Sequence, residues 1–168
     1  MNPSAWIIDG YVDEPACLGV PPYISPYIRT VAGVLLSHDI SVTYHTIDEI
    51  RIQPGLLTDA GNADYVVIIA GMTVPGKYLG GIPVTWQEIQ QIGSALTRPH
   101  TFLGGPILFG SGSSGGQIAH KRGEFNVDTQ LIGSPAGSLN RWLSGNIPSS
   151  SFDYQTEDPW SVLGSEII

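Results

Sequence analysis

The chain has 168 residues and a formal net charge of −8, with seven Lys or Arg against fifteen Asp or Glu. So few cations exclude binding driven by phosphate neutralisation, and no nucleic-acid partner is expected. A single cysteine, Cys17, excludes a disulfide within the chain and any cysteine-based metal site.

Charged residues make up 13% of the sequence, against a usual share near ~25%. That sparse surface suggests that part of it is covered by another body. No apolar run approaches the ~20 residues of a membrane span, and no secretory pattern precedes Trp6. The expectation is one cytoplasmic domain with no membrane association.

In chain order, residues 5–8 run apolar without alternation, the mark of a strand buried on both faces. Ser25-Pro26 supplies an N-cap and a first-turn proline for a helix carrying Ile28, Val31, Leu35 and Leu36. A second strand is expected at 41–46. Thr46-Ile-Asp-Glu49 is then a capping box for a short helix that cannot run far past Pro54. Residues 65–70 form another fully apolar strand. Thr85-Trp-Gln-Glu88 opens a helix with Ile89, Ile92 and Leu96. Strands follow at 101–103 and 128–132. Ser134-Pro135 starts a last helix bearing Leu139, Trp142 and Leu143, closed by Gly145.

Strand alternating with helix five times predicts a three-layer α/β/α sandwich around a five-stranded parallel sheet, order 2-1-3-4-5. Ligands of such sheets sit at the carboxyl edge, where strands one and three diverge. Three long connections share that edge: residues 9–24, 71–83 and 104–116. The first, Asp9-Gly-Tyr-Val-Asp-Glu-Pro-Ala-Cys-Leu-Gly-Val-Pro-Pro-Tyr-Ile24, is stiffened by Pro15, Pro21 and Pro22 and offers Tyr11, Leu18 and Tyr23 as apolar surface. A connection of that length is usually functional.

Several chemistries fail against the residues. Gly71-Met-Thr-Val-Pro-Gly-Lys77 imitates a phosphate loop, yet Tyr78 stands where a magnesium-binding hydroxyl belongs and no helix can start at Leu79-Gly-Gly-Ile-Pro83. A phosphoacceptor domain needs an acid and a lysine where Gly71 and Gly133 stand. The four histidines show no metal-ligand spacing. Cys17, between Ala16 and Leu18, reads as packing more than as a nucleophile, and Asp13-Glu14 as solvated or capping acids. An independent enzyme built on Cys17 or on Asp13 and Glu14 stays a third choice. Gly110-Ser-Gly-Ser-Ser-Gly-Gly116 is either a cradle of amides for a phosphate-bearing tail or a surface turn.

With these elements placed, the run from Asp9 through Ser25-Pro-Tyr27 resembles the amino-terminal domain of archaeal B12-binding-domain radical S-adenosylmethionine proteins, largely uncharacterised iron–sulfur proteins. Tyr44-His-Thr-Ile-Asp-Glu-Ile-Arg51, Gly104-Gly-Pro106 and Val127-Asp-Thr-Gln-Leu-Ile-Gly133 extend the likeness over nearly the whole chain. The resemblance implies a flavodoxin-like, cobalamin-binding-like domain over residues 1–150. Residues 151–168 would connect it to a barrel that is absent here, in keeping with an abrupt apolar tail. That barrel would be the domain's partner, holding a 4Fe–4S cluster on a CxxxCxxC set and cleaving S-adenosylmethionine. Residues implied at the cofactor are Asp9, Gly10, Tyr11, Gly71, Met72, Thr73, Gly104, Gly105, Pro106 and Gly133, with the Thr73 hydroxyl and the paired glycines near its tail. No catalytic residue and no metal ligand is expected in this chain. Asp9-Gly-Tyr-Val-Asp13 lacks the histidine of the DxHxxG stretch, so cobalamin would bind without a lower ligand from the protein. The leading expectation is a cobalamin-binding-like accessory domain; the alternative is a docking module that packs on the barrel and binds no cofactor.

Overall fold

A computed structural model describes residues 2–12, 26–71, 83–109, 125–145 and 164. The elements are β1 (Ser4–Asp9), α1 (Pro26–Ser37), β2 (Ser41–Thr46), α2 (Ile47–Ile52), α3 (Leu56–Ala60), β3 (Tyr65–Ile69), α4 (Trp86–Ala95), β4 (His100–Gly104), β5 (Thr129–Leu131) and α5 (Pro135–Leu143). All strand pairs are parallel, in the order β2-β1-β3-β4-β5, as the alternating pattern predicts. The register sets Ile7 between Tyr44 and Val67, and Asp9 between Thr46 and Ile69.

The sheet divides the apolar interior in two. One side joins Ala5, Ile7, Val67, Ile69, Phe102 and Leu131 to α1 and α5. The other joins Ile8, Val66, Ile68 and Leu103 to α2, α3 and α4. This explains the continuous apolar runs, because neighbouring residues on each strand serve opposite cores.

Both predicted capping boxes form. Thr46 and Thr85 each accept from the amide three residues on, and Glu49 and Glu88 return the bond to the cap amide. Ser134 likewise accepts from Gly137 N at 3.1 Å, with Pro135 in the first turn of α5. Ser25, the expected cap of α1, lies outside the described residues.

Three details differ from the sequence expectation. The five-residue α3 follows Gly55 with no side-chain cap, so it lacked a sequence signal. Pro106–Phe109 forms a single 3-10 turn where Gly-Gly-Pro reads as plain loop. β5 is shorter than 128–132, because the Asp128 carboxylate binds the amide and hydroxyl of Thr101, both at 2.7 Å, in place of a ladder bond. At the other end, Ile132 is exposed.

Helix α1 is buried almost all round, with Ile28 and residues 30–35 shielded from solvent. Gly164 seats against it, and a β-carbon there would strike the carbonyl oxygen of Arg29.

Candidate functional site

Strand β1 delivers Asp9 to the carboxyl edge, where it is one of four buried polar residues among those described. Its Oδ1 accepts from the Tyr11 amide at 2.9 Å, and its Oδ2 accepts from the Tyr44 hydroxyl at 3.0 Å. Burial raises the Asp9 carboxyl above the ordinary aspartate value, while these two bonds pull it back down. Tyr44 is pushed well up, first by burial and then by the charge on Asp9. Tyr11 holds a left-handed backbone, φ 58°, uncommon for a residue with a ring. Its amide bond to Asp9 is the local reason that this conformation persists.

From Tyr11 the network continues outward. Its hydroxyl donates to Asp48 Oδ2 at 3.2 Å, and Arg51 Nη1 reaches Asp48 Oδ1 at 2.6 Å. The Arg51 fork grips Glu88 through Nε at 2.7 Å and Nη2 at 2.9 Å, and Nη2 also reaches the Pro83 carbonyl at 3.2 Å. Arg51 is the main cause that holds the Glu88 carboxyl down at about 2. The capping bonds to Thr85 lower it further. Thus one hydrogen-bonded chain runs from β2 through the start of the first long connection to α2, and on to the start of α4.

Backbone bonds knit the starts of the three connections together. Gly10 N donates to Ile69 O at 2.8 Å, Gly71 N to Tyr11 O at 3.1 Å, and Val84 N to Gly10 O at 2.9 Å. Ala70 N donates to Gly104 O at 2.9 Å and Ile107 N to Ala70 O at 3.2 Å. The expected meeting of these segments at one edge is therefore present where they leave the sheet.

Of the residues implied at a cofactor, Asp9, Gly10, Tyr11, Gly71, Gly104, Gly105 and Pro106 come together here. Gly133 follows β5 with φ 83° and leads into the Ser134 cap. Met72 and Thr73 lie outside the described residues, as do Asp13, Glu14, Cys17, Lys77, Tyr78 and the stretch 110–116. The glycines have identifiable neighbours. A β-carbon at Gly71 would meet the carbonyl oxygen of Tyr11 at 2.8 Å, and one at Gly105 would meet that of Ala70 at 2.5 Å. At Gly104 it would stand 2.9 Å from the Pro135 ring, at the start of α5.

The spaces beside Gly71, Gly104 and Gly105 are filled by the chain itself. The described histidines are engaged elsewhere: His38 with Asn140 at 2.8 Å, His45 stacked on Trp6, and His100 with Thr129 at 2.9 Å. Among the described residues no cluster of His, Cys, Asp or Glu is arranged to hold a metal ion.

Tyr44, Asp48, Arg51 and Glu88 are not among the site residues expected from the sequence. Asp48 and Glu88 belonged to capping patterns, but the link from Arg51 to Glu88 spans 37 positions and leaves no local signal.

No family model matches the chain, and no solved structure matches it significantly. It is 52% identical over 104 residues to an uncharacterized protein of Archaeoglobus fulgidus, covering 62% of this chain and 19% of that protein. It is 41% identical over 172 aligned residues to an uncharacterized protein of Methanocaldococcus jannaschii, covering 98% of this chain and 31% of the relative. The chain thus spans less than a third of the length of these archaeal relatives.

Proposed function

We propose that this chain is an accessory domain of a longer archaeal radical S-adenosylmethionine iron–sulfur protein, and that it works by docking through the carboxyl edge of its sheet. The observation that supports this reading most is the edge itself. Asp9, Tyr11, Gly71 and Gly105 are locked by bonds and contacts within the chain, which suits a preformed face more than an empty slot. The partial coverage of its archaeal relatives accords with a module in a larger protein. Catalysis, the 4Fe–4S cluster and S-adenosylmethionine belong in this reading to the neighbouring barrel.

A second reading, in which the same edge holds cobalamin, draws on the strand order and on the Gly104-Gly105 pair at the end of β4. Titrating the purified chain with hydroxocobalamin separates the two. A saturable change in corrinoid absorbance supports cofactor binding; none up to millimolar ligand supports docking alone. Gly105 is unsuitable as the test substitution, because any side chain there strikes Ala70 and would damage the fold. The wider assignment is tested on the Methanocaldococcus relative, prepared without oxygen and reconstituted with iron and sulfide. Reductive release of 5′-deoxyadenosine from S-adenosylmethionine is expected. A preparation that neither holds a cluster nor cleaves S-adenosylmethionine overturns the assignment.

A further inference from the structure

The side-chain network at the carboxyl edge has a second property, independent of what that edge binds. Helix α2 touches two of the three connections at once. Through Asp48 it holds the Tyr11 hydroxyl, where the first connection leaves β1. Through Arg51 it holds the Pro83 carbonyl and Glu88, where the second connection enters α4. Asp48 and Arg51 are themselves joined at 2.6 Å, one turn apart on the same helix.

We propose that α2 is a coupling element, with the Asp48–Arg51 pair transmitting any displacement at Tyr11 to the start of α4, and the reverse. The physical reason is the sharing of partners. Asp48 accepts from both Tyr11 and Arg51, so loss of one bond frees the carboxylate to turn toward the other. Arg51 donates to both acids and to Pro83, so a shift of its planar fork toward one partner lengthens its bonds to the others. Glu88 in turn holds the Thr85 amide at 2.7 Å and the Thr85 hydroxyl at 2.8 Å, so a shift of Arg51 reaches the cap of α4. Side chains that share partners in this way are coupled energetically, and the coupling is reciprocal. A body that grips one connection therefore alters the readiness of the other.

Amide hydrogen exchange on the whole chain, resolved by residue, tests this. Tyr11→Phe removes one hydroxyl and leaves every backbone bond at the edge in place. The Thr85 amide, bonded to Glu88 and not to Tyr11, is expected to exchange about threefold faster or more. In Arg51→Met the Tyr11 and Gly71 amides, which Arg51 does not touch, should accelerate by a similar factor. The double variant should exceed the stronger single variant by little. The Ser138 amide in α5, on the opposite face, reports whether the fold as a whole has loosened, and it should stay unchanged. Acceleration confined to each variant's own side, or effects that simply add in the double variant, overturns the coupling. Should Arg51→Met fail to fold, Tyr11→Phe decides alone.

Discussion

Asp9 shows how a single buried acid ties the pH of the medium to the stability of the edge. Its carboxyl is raised by burial, so the folded protein prefers the neutral acid more than the unfolded chain does. The stabilisation from that preference is complete below 3.8 and is lost as pH rises through the elevated folded value. Asp9→Asn keeps an acceptor for the Tyr11 amide and imitates the neutral acid at every pH. Thermal melts should therefore show Asp9→Asn near wild type at pH 3 and a few degrees more stable at pH 7. A gap that does not change with pH would contradict this account.

Two glycines in the left-handed region make a matched pair at the same scale. Gly105 has φ 102° and lies against Ala70, whereas Gly145 has φ 71° and open space about it. Gly145→Ala should cost about 1 kcal/mol from backbone strain alone. Gly105→Ala adds a collision with backbone that has little freedom to give, and should cost about 3 kcal/mol or more. Denaturant titration of the two variants measures the difference.

Among the elements, the two capping boxes share a pattern and differ in load. Glu49 is half exposed and pairs with His45 at 3.3 Å besides capping α2. Glu88 caps α4 and also carries the Arg51 fork in a partly buried setting. Glu49→Ala should cost about 0.5–1 kcal/mol, the ordinary loss of a cap. Glu88→Ala leaves Arg51 short of a partner and should cost about 2–3 kcal/mol by chemical denaturation. The sign of its pH dependence is opposite to that of Asp9. The stability from Glu88 is present above 4.5 and is lost as acid protonates it toward about 2. In Glu88→Ala that portion of the acid sensitivity should be absent.

The same comparison marks what the sequence discloses at this scale. Both boxes were legible because capping is local, with cap and return acid three positions apart. The central strands β1, β3 and β4 are legible because burial on both faces removes polar residues from most of the run. Helix α3 was not, since Gly55 offers no cap and five residues are too few for a period. The start of β5 is not legible, because Asp128 closes it with its own side chain, a choice made only once Thr101 lies alongside. At the edge, the position of Asp9, Gly10 and Tyr11 at the end of β1 is legible from the strand pattern. Tyr44, Asp48, Arg51 and Glu88 are not, because their pairing exists only after β1, β2, α2 and α4 have met.

For the molecule as a whole, the sheet order followed from general rules of parallel crossovers, and the two cores follow from the sheet. Helix α1 is the exception to the usual plan, in which an outer helix shows one apolar face. Here its far side is shielded as well, and Gly164 rests on it. A protein truncated before Gly164 loses that contact, and α1 is expected to show more apolar surface to water. Such a fragment should bind the dye ANS and self-associate on size-exclusion chromatography, while the 168-residue chain should do neither to the same degree. Anyone trimming this domain for crystallisation would do well to keep Gly164, whose backbone lies against the Arg29 carbonyl.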